Sequence, residues 1–199
     1  EVWCDEPASI FDRVATDEIL RKVANIMSRR VLLIRRFFME DIWKIRPYVL
    51  ECQGEDPWEA EWIEKGKMTR AEDDEFSFEA FSLDAHVFEN KGNWYYVWAE
   101  KVGVGRQISN LYIARMKNGY TLDTVQVLLT TPDYDWERHG FWVNEGPGTI
   151  KKNGKIYLTY SASDTGIHYC VGMLTADENE VKVLLAGGEW VSEGQLGTY

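Results

Sequence analysis

The side chains best suited to chemistry lie in Phe141-Trp142-Val143-Asn144-Glu145-Gly146-Pro147, where aromatics precede a carboxylate and Gly-Pro follows it. Proline cannot donate to a strand ladder and glycine accepts unusual dihedral angles. Glu145 is therefore expected where a strand breaks into a turn, with its carboxylate pointing out of the end of a sheet. A second acid, Asp84, stands about sixty residues earlier in Ser82-Leu83-Asp84-Ala85, at the mouth of a comparable strand. Two acids on neighbouring structural units are the equipment of glycosidic-bond hydrolysis, where one of them protonates the leaving oxygen. Such a donor must hold its proton above the ordinary glutamate value of about 4.3. Phe141 and Trp142 would desolvate Glu145, and a like charge on Asp84 would act in the same direction. The alternative is that both acids only cap strand ends or turns.

Other reactive side chains form weaker patterns. His86, His139 and His168 are scattered, with no metal-ligand or triad spacing to any Cys or Ser. Ser161-Ala162-Ser163 lacks the Gly-x-Ser-x-Gly context of a nucleophile elbow, and Gly103-Val104-Gly105 is too short to cradle phosphates. Cys4, Cys52 and Cys170 are odd in number and lack metal spacing, so buried reduced thiols are expected.

With 22 basic against 33 acidic residues, the formal charge of −11 argues against a nucleic-acid partner, because phosphate contacts need Lys/Arg-rich surfaces. A neutral ligand fits better. Nine Trp, ten Tyr and eight Phe supply faces that stack on sugar rings as readily as they fill a core. No apolar run reaches the length of a membrane span, and residues 1–10 lack the basic-then-apolar order of a secretory signal. No membrane partner is expected, and the compartment stays open with a lean to the cytoplasm.

The elements that must position these acids follow from the hydrophobic pattern. Residues 1–38 form an atypical basic leader. Ile19, Leu20, Val23, Ile26, Met27, Val31, Leu32 and Ile34 recur there at helical spacing behind a capping Thr16 or Asp17. From residue 39 onward the pattern is one of short strands and turns. Strands are expected over 46–52, 62–68, 110–116 and 125–129, and hairpins turn at Asn90-Lys91-Gly92 and Asn153-Gly154. The acidic run Glu72-Asp73-Asp74-Glu75 reads as a solvated loop. Gly154 follows Gly92 by about sixty residues, and Tyr48, Tyr112 and Tyr169 head apolar runs at similar intervals. A recurring unit of about four strands is a propeller-blade signature. The fold expected is all-β, an incomplete propeller of two to three blades behind a helical N-terminal segment.

Taken together, Ser82–Ala85, Trp94–Ala99, Asn110–Ala114, Tyr134–Glu137, Gly140–Pro147 and Leu158–Ser163 strongly resemble family-43 glycoside hydrolases, in particular their α-L-arabinofuranosidases and β-xylosidases. Asp41–Glu51 and Tyr169–Glu178 extend the similarity to about residues 39–180. The resemblance implies a five-bladed β-propeller, an inverting mechanism, and an arabinose- or xylose-containing oligosaccharide or polysaccharide as partner. It places the general acid on Glu145 and the acid that raises its pKa on Asp84. Trp98, Phe141, Trp142, Asn144 and Ser161 are expected to line the sugar site.

The family's general base belongs to an Ala-Asp-Pro motif followed by apolar residues, and this sequence has none. Asp5-Glu6-Pro7 leads into Ala8-Ser9 instead. No base is assigned, impaired turnover is expected, and Asp41 is the first substitute to consider. A non-catalytic sugar-binding remnant and an interaction protein built on the basic leader stand as the alternatives. The family's channel histidine, associated in complete relatives with a metal such as calcium, belongs to a segment expected to follow Tyr199, so no metal ligand and no cofactor are assigned.

Overall fold

The structure, a computed structural model, describes residues 31–35, 45–102, 106, 108–179 and 191–198. Three sheets follow one another along the chain. β1 (Val31–Arg35), β2 (Pro47–Cys52) and β3 (Trp62–Lys67) form the first. β4 (Phe81–Asn90), β5 (Asn93–Lys101), β6 (Ser109–Asn118) and β7 (Thr121–Leu122) form the second, with β8 (Val127–Thr130) also pairing β6, along Leu111–Ile113. β9 (Asn144–Lys152), β10 (Lys155–Ala162), β11 (Cys170–Asp177) and β12 (Val191–Thr198) form the third, in reverse order across the sheet. All pairings within the sheets are antiparallel.

Local chemistry accounts for the hairpins. Lys91-Gly92 and Asn153-Gly154 join their strands with φ of +51° and +79°, and of +53° and +76°. Positive φ at both central positions is the type I′ turn, whose twist matches that of the flanking strands. One expectation is corrected at the other end of the chain. Val31, Leu32 and Ile34 are not helical but lie in β1, paired with β2 from Val31 opposite Glu51 to Arg35 opposite Pro47. Closely spaced apolar residues in so short a run fit either period, and here the ladder to β2 decides. The rest of the helical leader, including Thr16, Asp17 and the run from Ile19 to Met27, lies outside the described residues, as does Asp41.

The middle sheet is covered on both faces, which explains the nearly unbroken apolar run of β5. Tyr95, Val97 and Ala99 point into a core shared with Leu111, Ile113, Ile156, Leu158, Tyr160 and Leu174. Tyr96 and Trp98, on the alternate face, join Val49, Met68, Tyr112 and Leu122. Successive strand residues face opposite sides, so only a sheet packed on both sides can bury all of them. Cys52 and Cys170 are buried free thiols.

Asp74 departs from the solvated loop expected for its acidic run. It is buried and accepts hydrogen bonds from the Phe76 and Ser77 N–H groups, the Ser77 hydroxyl and the Gln126 N–H. Burial alone would raise its pKa, but these donors outweigh it and hold the carboxyl below the ordinary aspartate range. Glu100, fully buried, likewise staples a loop by accepting from the Phe78 and Ala80 N–H groups and the Trp98 indole.

The second and third sheets meet along β4 and β9. His86 Nε2 lies 2.8 Å from the Thr149 hydroxyl and accepts the Thr149 N–H at 3.2 Å, so this nitrogen carries no proton. Burial depresses the pKa of His86 from its ordinary 6.5. Protonation therefore costs the fold, and stability is fully present above the unfolded-state value and lost as pH falls below it towards the folded one. The urea midpoint of the wild type is expected to fall more between about pH 7 and about pH 5 than that of His86→Gln, whose amide oxygen accepts the same N–H. Equal slopes would contradict a neutral, desolvated His86 at this seam.

Candidate active site

Two bulges aim the acids. Leu83 pairs with Ala99 and His86 with Val97, so Asp84 and Ala85 together face the single residue Trp98. Asp84 adopts φ of +51°, a left-handed conformation that Asp tolerates better than most residues, and the bulge turns it out of β4. On β9, Glu145 pairs with Ser161 and Gly148 with Thr159, leaving Gly146-Pro147 opposite Tyr160 alone. The strand does not end at Gly-Pro as expected. It bulges there, with Gly146 at φ of +59°, and continues to Lys152. Glycine meets the dihedral requirement, and a bulge spares proline the ladder bond it cannot make.

The bulges bring Asp84 to the backbone beside Glu145. The Gly146 N–H donates to Asp84 Oδ2 at 3.3 Å, which sets the Asp84 carboxylate against the residue following Glu145. Glu145 is only 7% exposed, and its Oε1 accepts the Tyr169 hydroxyl at 3.1 Å. Tyr169 lies just ahead of β11, and Ser161 is the ladder partner of Glu145. Burial first, and then the charges of Glu145 and Asp84, push the Tyr169 pKa far up, so the phenol stays a donor.

The remaining expected site residues divide. Ser161 is brought to Glu145, and Phe141 presents an exposed ring just ahead of β9. Trp142 lies beneath two guanidinium groups, with Arg106 and Arg138 at 5.1 and 4.7 Å from the ring centroid, so its π-surface is engaged by cations. Asn144 is fully buried and donates to Glu137 Oε1 at 3.1 Å, which makes it a support for the strand start and not a sugar contact. Trp98 has to be removed from the sugar site. It is fully buried, its indole N–H is given to Glu100 at 2.8 Å, and no face is left for a ligand.

Behind the site, Glu137 closes a short 3-10 turn, Asp135–Glu137. Its carboxylate accepts from the Asp133 and Tyr134 N–H groups, from Asn144 Nδ2 and from the Tyr160 hydroxyl. Trp136, in the same turn, stacks on Tyr160, and Gly172 leaves the space both rings occupy. Sequence reasoning missed Glu137 and Tyr169 as parts of the site. It also read His139 and His168 as scattered, whereas their rings stack at 4.7 Å, with Asp164 Oδ2 at 3.6 Å from His168 Nδ1. Among the described residues, no three or more of His, Cys, Asp and Glu gather in a way that could hold a metal ion.

The chain is similar to known proteins over most of its length. The model of the glycosyl hydrolases family 43 matches residues 36–190. An extracellular exo-α-(1→5)-L-arabinofuranosidase of Streptomyces chartreusis is 44% identical over 155 residues, covering 78% of this chain and 43% of the relative. An α-L-arabinofuranosidase 43 of Humicola insolens is 42% identical over 156 residues, covering 77% of this chain and 30% of that protein. The crystal structure of the α-L-arabinofuranosidase from Lactobacillus brevis aligns with a TM-score of 0.66 at 42% identity, covering 79% of this chain and 47% of that one. The chain thus spans less than half the length of each of these relatives. An all-β architecture, a family match over most of the sequence and this level of identity lead to one conclusion: the chain belongs to family 43 of the glycosyl hydrolases, a β-propeller family.

Proposed function

We propose that Asp84 and Glu145 are the acid half of a glycoside-hydrolysing centre that removes terminal α-L-arabinofuranosyl residues with inversion. The observation that carries this reading is the hydrogen bond from the Gly146 N–H to Asp84, which sets the Asp84 carboxylate against the backbone of the residue that follows Glu145. In the proposed step a base deprotonates water, the water attacks the anomeric carbon opposite the leaving group, and Glu145 gives its proton to the departing oxygen. In inverting enzymes the acid and base carboxyls stand about 6.5–9.5 Å apart to admit that water. Asp84 acts as the pKa modulator, its negative charge favouring the protonated form of Glu145. Phe141 offers an exposed ring just ahead of β9, and Ser161 lies opposite Glu145 in the β9–β10 ladder.

The three sheets are, in this proposal, successive blades of a five-bladed propeller, with residues 39–199 forming part of that domain. The seam between β4 and β9 and the family match over residues 36–190 support it. The general base is not assigned, so the chain alone is expected to turn over slowly or not at all. The substrate class, arabinose- or xylose-containing glycans, rests on the arabinofuranosidase relatives.

Chromophore release from an aryl α-L-arabinofuranoside and from the matching β-D-xyloside, measured together with binding of each, tests the proposal. Release that favours the arabinofuranoside supports the hydrolase. Saturable binding without release supports the alternative, a non-catalytic sugar-binding domain. Neither release nor binding would overturn both.

A further inference from the structure

We propose that Tyr169 is a positioning residue for the acid: its hydroxyl engages Glu145 Oε1 and leaves Oε2 as the oxygen that delivers the proton. This rests on the acid role given to Glu145 above. The geometry behind it is one direct contact and one ladder pairing: Tyr169 donates to Glu145 Oε1 at 3.1 Å, and Ser161 sits opposite Glu145 in the β9–β10 ladder.

The loop that delivers Tyr169 is fastened to the segment that delivers Glu145. The Ser163 N–H donates to the Val143 carbonyl at 3.2 Å, the Asp164 N–H donates to the His139 carbonyl at 2.9 Å, and the His139 N–H donates to Ser163 Oγ at 3.2 Å. The His139–His168 ring stack lies across the same junction. The phenol is therefore held against the acid by the backbone on both sides, which is what a positioning contact needs.

The chemistry follows from what a phenol O–H can do. While it donates to Oε1, that oxygen is an acceptor and the carboxyl proton resides on Oε2. As the glycosidic bond breaks, its electron pair stays on the leaving oxygen, the proton passes from Oε2 to that oxygen, and Glu145 becomes a carboxylate. The hydrogen bond from Tyr169 then becomes charge-assisted and stronger, so it stabilises the state formed by proton transfer. Among the described residues, Tyr169 donates to Glu145, and Asp84, from β4, accepts the N–H of the next residue, Gly146; His86, also on β4, is engaged by Thr149 further along β9. Tyr169 and Asp84 act on Glu145 in opposite senses, since a donor favours the carboxylate and a like charge disfavours it.

The test is a pH titration of the glutamate side-chain carboxyl carbons by 13C NMR on the full chain, with the Glu145 signal assigned by its loss in Glu145→Gln. Tyr169→Phe is expected to move the Glu145 midpoint to higher pH, and Asp84→Asn to lower pH. Wild-type chain carrying 3-fluorotyrosine, whose phenol is a stronger donor, is expected to move it to lower pH and provides a second reading if Tyr169→Phe folds poorly. An unmoved midpoint in the folded Tyr169→Phe chain, or with fluorotyrosine, would overturn the inference. The titration needs no turnover, so absence of hydrolysis leaves it intact. Turnover that survives Glu145→Gln defeats the acid assignment independently. Where turnover is measurable, Tyr169→Phe is expected to lose about tenfold or more on a poor leaving group.

Discussion

Glu145→Gln is expected to lower cleavage of substrates with poor leaving groups by about 10²–10⁴-fold, the range that general acid catalysis supplies. The amide is nearly isosteric and keeps an oxygen for the Tyr169 hydroxyl, so the loss comes from the missing acidic proton and not from repacking. The leaving group provides the internal control. A dinitrophenolate departs without protonation and should be cleaved almost as fast by the variant, whereas an alkyl glycoside or a disaccharide should suffer the full loss. The comparison is made on whatever turnover the chain supports. Equal rates for variant and wild type on a poor leaving group would remove Glu145 from the acid role.

Glu137→Ala is expected to be the most destabilising single change near the site, at about 3–5 kcal/mol, because it strands buried donors. Its carboxylate is fully buried and accepts from the Asp133 and Tyr134 N–H groups, Asn144 Nδ2 and the Tyr160 hydroxyl. A buried donor left without an acceptor costs about 1–3 kcal/mol, and two of the donors freed here, Asn144 Nδ2 and the Tyr160 hydroxyl, belong to fully buried residues of β9 and β10. For a chain of this size a loss of that order lowers the melting midpoint by about 10 °C. Urea denaturation at unchanged m-value measures it, and a loss under about 1 kcal/mol would show that these donors find other partners. Because Asn144 directly precedes Glu145, the same substitution should also loosen the acid's strand.

Much of the architecture was legible before the structure. Strand alternation and the Lys-Gly and Asn-Gly turns are local signals, and β5, β6 and the hairpin at Asn153-Gly154 fall where period and turn chemistry put them. Gly146-Pro147 announced an irregular backbone, but whether the strand would end or bulge depends on Tyr160 across the ladder, which no local pattern encodes. Trp98 was misread because an aromatic face serves a core and a sugar equally well. What fixes it in the core is Glu100 taking its indole N–H, together with a sheet packed on both sides. Asp74 was misread because a run of acids looks solvated until a distant N–H, that of Gln126, joins in holding one of them. Tyr169 was invisible as a site residue for the same reason. At the head of an apolar run it reads as strand, and only the loop tied to His139 and Val143 carries its hydroxyl to Glu145.

Whether Asp84 and Glu145 face one sugar-sized site is read by titrating L-arabinose into 15N-labelled chain and following the backbone amide signals. The largest shifts are expected on Gly146, whose N–H is held by Asp84, and on Ser161 and Tyr169, and Asp84→Asn and Glu145→Gln are each expected to weaken the binding. Shifts confined to surfaces away from the β4–β9 seam, with affinity unchanged in both variants, would contradict a shared site.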